Sequence, residues 1–301
     1  MDIIVPSGFL VCTVIPLNGP CGGLSWFENL GDDEFVRRTI LPTEQDLFYH
    51  HAELVDFDND GINDMVITGE AQGGFLSSDR AEAHWFKGIG TGLLFETTPR
   101  VIAPGLGSFP RVRDIDGDGD LDIASGEFFH TAGDSFVWLE RTEDPSDTNP
   151  SGSFTRHIID GDSGKTIMLS FVEDIFGDGE LRAIGSNHTN TTKDNPDPWE
   201  SGVFLYEIPD DPTRPWPKTM ISEGIVSRPG SMFAPQAAPG IFGTGDMDDD
   251  GDMDILSASS EDDTIAWYEN NGAANPSWSA SNIVTNADGA NCGFAADMDN
   301  D

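Results

Sequence analysis

Apolar positions along this chain fall in short alternating runs cut by turn residues, and none sustains the 3.6-residue period of an amphipathic helix over three turns. Runs such as HHAELVDF and FPRVRDI lead into MVITG and DIAS, then into AHWF and FVWL, then into LLFETTPRVIA and SFTRHIID. β-Branched and aromatic residues fill these runs, and Gly, Asn, Asp or Pro close them, the pattern of short strands. Each unit therefore predicts four strands: a leading strand, a DIxxS-type strand, an aromatic WxE-type strand and an FxxxxI-type strand. The aromatic strand recurs as LSWFENLG (24–31), AHWFKGIG (83–90), FVWLERTE (136–143), GVFLYEIP (202–209) and IAWYENNG (265–272). Its tryptophans Trp26, Trp85, Trp138 and Trp267 stand in register, which predicts core packing for them.

Between the first two strands of each unit lies an acidic stretch. These stretches read DFDNDGINDMVI from Asp56, DIDGDGDLDIAS from Asp114, DIFGDGELRAIG from Asp174, DMDDDGDMDILS from Asp246 and DMDND from Asp297. Spacings of 51 to 72 residues between their first aspartates suit blades or solenoid units. Four-stranded units of this length, repeated radially, make a β-propeller. A parallel β-helix needs shorter coils, and a β-sandwich does not repeat one loop in every unit. The prediction is an all-β chain, residues 1–301 forming a single propeller with about five blades. Met1–Val5 matches Met253–Ser257, so Asp2 falls at position 9 of a loop, while Asp301 falls at position 5 of another. Two arrangements remain open, a ring closed by its own ends or a piece of a longer propeller. The second is preferred, because ending a chain inside a loop of this kind is poor design.

Charge narrows the partners. Against 15 basic side chains stand 54 acidic ones, a formal net charge of −39. Phosphate backbones need clustered Lys and Arg, so nucleic acid is excluded as a natural partner and anionic membranes are disfavoured. Nineteen Phe and seven Trp supply a core and argue against disorder, while 34 Gly and 19 Pro favour turns. No apolar run approaches the roughly 18–20 residues of a membrane span. Cys12 and Cys21 flank a Pro- and Gly-containing loop and are open to either pairing or free thiols. Oligomeric state is not legible.

The acidic stretches carry the chemistry. Carboxylates held within a few ångströms repel one another, and a hard dication resolves that cost. Calcium takes six to eight oxygens at roughly 2.3–2.6 Å from a flexible loop, with Gly at position 6 for the sharp turn. Positions 1, 3, 5 and 9 give Asp56, Asp58, Asp60 and Asp64; Asp114, Asp116, Asp118 and Asp122; and Asp246, Asp248, Asp250 and Asp254. Position 7, at Ile62, Asp120 or Asp252, contributes its backbone. Asp297, Asp299 and Asp301 begin a further loop. An EF-hand would add an acidic residue at position 12, where Ile67, Ser125 and Ser257 stand, and would need flanking helices. About three complete structural calcium sites are expected. The loop at 174 departs, with Phe176 at position 3 and Arg182 at position 9, and the Arg182 guanidinium is expected to replace the metal against Asp174 and Asp178.

The pairing of DxDxDGxxDI with WYENxG and FTRHxI resembles the FG-GAP/VCBS family of calcium-binding propeller repeats, also found in integrin α-subunit heads. The resemblance extends over essentially the whole chain. It implies an extracellular or cell-surface module that binds a carbohydrate or a protein ligand, as in adhesion. It also implies that the acidic loops share one face of the propeller. The opposite face then collects His50, His51, Glu70, Glu127, His130 and His188, with the aromatics Phe48, Tyr49, Phe128 and Phe129. Histidines and carboxylates together can bind a transition metal such as Zn2+ or transfer protons. Some FG-GAP-type sugar enzymes suggest the alternative of a carbohydrate lyase or dehydratase built on those six residues. The binding module is the preferred reading, because no nucleophile elbow, zinc-protease helix or phosphate loop occurs.

Overall fold

The structure is a computed structural model and describes residues 2–7, 22–32, 34–45, 47–71, 79–90, 95–128, 133–187, 202–221, 240–259, 263–273 and 277–296. The fold is all-β and of the β-propeller class. Two compact units divide the chain, Met1–Ile158 and Ile159–Asp301.

The first unit opens with a three-stranded antiparallel sheet of β1 (Ile3–Ser7), β2 (Gly22–Gly31) and β3 (Glu34–Gln45). Two four-stranded sheets follow. One is β4 (Phe48–Val55), β5 (Asp64–Ala71), β6 (Arg80–Phe86) and β7 (Arg100–Pro104); the other is β8 (Arg111–Arg113), β9 (Asp122–Gly126), β10 (Phe136–Glu143) and β11 (Ser153–Asp160). The second unit holds β12 (Thr166–Glu173), β13 (Leu181–Asn187), β14 (Val203–Glu207) and β15 (Lys218–Met220), then β16 (Phe242–Gly245), β17 (Asp254–Ser259), β18 (Thr264–Asn270) and β19 (Trp278–Val284). Strands pair in chain order within every sheet, as the fourfold pattern of runs predicts. No helix of the described residues is long and apolar enough to cross a membrane.

Why the second strand of a blade reads as an unbroken apolar run is clear at β5. All seven residues from Asp64 to Glu70 are buried, because both faces of the strand are covered. Val66 joins Phe57, Trp85, Leu106, Ile123, Val137 and Leu139 on one side. Met65 and Ile67, pointing the other way, join Leu24, Leu41, Tyr49, Phe86 and Phe95. Alternation by two thus serves two cores at once. Each such aliphatic side chain contributes roughly 1.5–3 kcal/mol on burial.

The register of β6 with β5 sets Trp85 against Val66, and Trp138 stands likewise against Ala124. Both indoles are fully buried. A side chain of the outer strand covers each aromatic face. Arg100 lies 4.4 Å from the Trp85 ring, Arg38 lies 5.7 Å from Trp26, and His157 lies 4.8 Å from Trp138. Trp26 and Trp267 are only partly buried, so the packing expected of all four is complete at two.

Candidate cation-binding loops

Each acidic loop bridges the first and second strands of its sheet and is folded by its own carboxylates. Position 1 accepts two backbone amides: Asp60 N and Gly61 N reach Asp56 at 2.9 Å each, Gly117 N and Gly119 N reach Asp114 at 2.8 and 3.1 Å, and Asp250 N and Gly251 N reach Asp246 at 3.2 and 3.0 Å. Position 5 accepts the amide of position 7, from Ile62, Asp120 and Asp252, at 2.9, 2.9 and 3.0 Å. This turn forces positions 4 and 6 into the left-handed region. Asn59, Gly117 and Asp249 have φ of 58°, 80° and 60°, and Gly61, Gly119 and Gly251 have φ of 85°, 99° and 93°. A Cβ at position 6 would meet nothing within 4 Å, so conformation rather than crowding demands glycine there.

The loop conformation gathers oxygens. In three loops one ligand atom from each of three aspartates falls within 4.8 Å of the others: Asp56, Asp58 and Asp60; Asp114, Asp116 and Asp122; and Asp246, Asp248 and Asp250. Asp118, expected in the second trio, gives way there to Asp122. Hard, closely spaced oxygens of this kind suit calcium or another oxygen-seeking dication.

Position 9 has a second job that sequence reasoning missed. Asp64 Oδ2 accepts Phe57 N at 3.2 Å and its Oδ1 accepts Gly88 N at 2.6 Å. Asp122 takes Ile115 N and Arg141 N, both at 2.9 Å, and Asp254 takes Met247 N at 3.1 Å and Asn270 N at 2.8 Å. Asp2 accepts Asn29 N at 2.9 Å in the same relation. The buried carboxylate therefore pins the loop to the third strand. Burial pushes Asp122 up to about 7 despite those amides, and it raises Asp64 as well. Asp116 and Asp248 are also raised, by desolvation and then by neighbouring carboxylates.

Two loops hold a basic side chain. At the 174 loop, Arg182 forms a fork on Asp178 at 2.8 and 2.7 Å and bonds Glu207 at 3.0 and 2.9 Å, lying 4.3 Å from the Phe176 ring. Of the two expected partners it takes Asp178. Asp174 instead accepts Gly179 N at 2.6 Å. The guanidinium holds Asp178 down at about 2. At the 56 loop, the Lys87 ammonium donates to Asp60 at 2.6 Å and to Asp58.

The histidines are distributed among separate partners. His50 Nε2 lies 3.0 Å from the fully buried Glu70, whose other oxygen accepts Phe128 N at 2.6 Å. His51 stacks on Phe109 at 5.4 Å and lies 3.7 Å from Glu53, which Arg111 also bonds at 2.9 Å. Successive residues of β4 give the two rings different carboxylate partners, Glu70 and Glu53, while both lie near Phe109, His50 at 6.2 Å. Glu127 is buried, as are Phe48 and Tyr49, whose phenol meets His84 at 3.2 Å. His130, His188, Phe129, Cys12, Cys21, Asp297, Asp299 and Asp301 lie outside the described residues. Among the described residues, the groups of three or more side chains able to hold a metal are all aspartate.

Comparison with known proteins bears on the repeat. The profile of the FG-GAP-like repeat matches residues 246–301, which include the 246 loop and β17 to β19. No curated protein matches the chain. A similar solved structure is the GH43 β-1,3-galactosidase BT3683 with galactodeoxynojirimycin, 10% identical over 86% of this chain and 85% of that one, with a TM-score of 0.38. The unit matched at 246–301 recurs in loop, register and aromatic strand along the sequence, so the described sheets resemble FG-GAP-type repeats within a fold of the β-propeller class.

Proposed function

We propose that this propeller is a calcium-stabilised extracellular module whose loops bind a carbohydrate or protein ligand. The observation that carries the reading is the convergence of three aspartate oxygens within 4.8 Å at the 114 and 246 loops. Among the described residues, no lysine or arginine side chain is hydrogen-bonded to the converging aspartates of either loop; Arg141 gives Asp122 its backbone amide. Such clusters favour a cation, and the amide bonds within each loop have already fixed most of its backbone, so little ordering remains to oppose binding. The ion would be structural, tying the first strand of a blade to the second and third. Sites of this loop type fill readily at the millimolar calcium found outside cells. Rigid blades carrying variable loops suit recognition. A catalytic reading draws less support, because His50–Glu70 and His51–Glu53 are two separate histidine–carboxylate pairs.

Thermal unfolding tests the metal. Calcium at one hundred times its Kd stabilises by about 2.7 kcal/mol per site, so removing it with chelator is expected to lower Tm by several degrees, reversibly on adding CaCl2. An unchanged Tm would overturn the calcium reading. Binding to immobilised glycans and extracellular proteins, with and without calcium, then tests the ligand class.

A further inference from the structure

We infer that Lys87, the third-strand residue facing position 9 in the 56 loop, occupies the place of a divalent cation there. This rests on the calcium reading for the 114 and 246 loops. Continuing the strand registers by one residue, Asp64 faces Lys87, Asp122 faces Glu140, Asp254 faces Glu269 and Asp2 faces Glu28, while Arg182 is paired directly with Glu207. Four blades carry glutamate at this point, and one carries lysine.

The consequences differ in sign. Glu140 and Glu269 place negative charge opposite position 9 of loops already crowded with it. A dication offsets that excess. In the 56 loop the Lys87 ammonium bonds two of the three converging aspartates. Calcium placed on the same trio would share its oxygens with a tethered positive charge. Backbone geometry fixes that tether: a Cβ on Gly88 would come within 2.3 Å of the Asn63 carbonyl, so this strand approaches the loop closely enough for the preceding lysine to reach inside. The lysine also lies over the Trp85 ring, 6.0 Å from its centroid. The 174 loop reaches the same end by another route. Its cation, Arg182, stands at position 9, and the facing Glu207 becomes its partner instead of surplus charge.

Two loops thus carry a cation of their own, and two are left to a metal. Calcium uptake by the full chain, measured by equilibrium dialysis with CaCl2, tests the assignment through single-loop variants. Asp116→Asn and Asp248→Asn are each expected to remove one bound ion. The double variant Asp58→Asn with Asp60→Asn is expected to remove none, and Lys87→Glu to add one. Loss of an ion in the Asp58/Asp60 variant, or no gain in a folded Lys87→Glu, would overturn the inference. Should Asp116→Asn and Asp248→Asn leave uptake unchanged, the calcium reading fails instead. The lysine is then judged by Tm in chelator, where Lys87→Gln should lower it and Glu140→Gln and Glu269→Gln should leave it unchanged or raise it. A Lys87→Gln that leaves Tm unchanged in chelator would refute the role of the ammonium.

Discussion

Asp160, at the end of β11, is a buried carboxylate met at both oxygens. Its oxygens accept the Tyr206 phenol at 2.7 Å, the Ser163 hydroxyl at 2.6 Å, the Asp162 amide at 2.9 Å and the Lys218 ammonium at 3.0 Å. Burial alone would raise its carboxyl, but hydrogen bonds from Asp162, Ser163 and Tyr206 bring it down to about 2. A folded pKa below the unfolded value near 3.8 means that the group stabilises above about pH 4 and that this is lost as pH falls through 2. Linkage puts the contribution at about 2 kcal/mol near neutrality. Asp160→Asn should therefore destabilise by about that much at pH 7, and the gap to the parent should close toward pH 2 in urea unfolding series. A gap independent of pH would show that shape, not charge, is what the site requires. Nothing in the local sequence announces this cluster, because Tyr206 and Lys218 arrive from strands whose pairing must be known first. The loop aspartates are different. Their alternation and the glycine at position 6 can be read directly, since the ligating geometry is set within nine consecutive residues. The second role of position 9 depends on an amide across the sheet and is legible only once the register is fixed. Lys87 lies between: WFKG stands out against WFEN, WLER, LYEI and WYEN, yet its meaning depends on knowing that this position overhangs the loop.

At the scale of elements, the strands were predictable because each run has to bury apolar residues with period two, and the aromatic strand bears most of the packing. Trp85 sits fully buried between β5 and β7, with Phe57 edge-on at 5.3 Å and Arg100 over its face. Trp85→Ala removes the largest buried side chain of that core and is expected to cost about 3–5 kcal/mol. Trp267→Ala, from the same register position but partly exposed, should cost less, and denaturant midpoints with unchanged m-values would register the difference. Equal losses would mean that the recurring indole serves register and not burial. Edge strands were harder to delimit. FPRVRDI shrinks to the three residues of β8 and WPKTMIS to the three of β15, since a strand of marginal apolar content keeps only the hydrogen bonds its neighbour offers.

For the molecule as a whole, the charge of −39 raises a question that loop geometry alone does not answer, namely whether calcium would act at sites or merely as a counter-ion. Two dications neutralise only four of those charges, so site binding leaves the chain strongly acidic and its long-range self-repulsion almost intact. Screening is a separate contribution with a different concentration scale. The Debye length falls from about 10 Å at 0.1 M salt to about 3 Å at 1 M, so NaCl added in chelator should raise Tm gradually and without saturation over that range. Calcium bound in the loops should instead give a saturable rise at concentrations too low to alter screening. Magnesium separates the two further, because it has the same charge but demands octahedral geometry at about 2.0–2.1 Å and sheds its water reluctantly. At matched ionic strength, CaCl2 is therefore expected to exceed MgCl2 in Tm, and both to exceed NaCl only where a site is filled. Coincident curves for the two dications would assign the whole effect to net charge. A calcium-specific step that survives 0.5 M NaCl would assign it to oxygens held within a few ångströms, where screening by bulk ions does not reach.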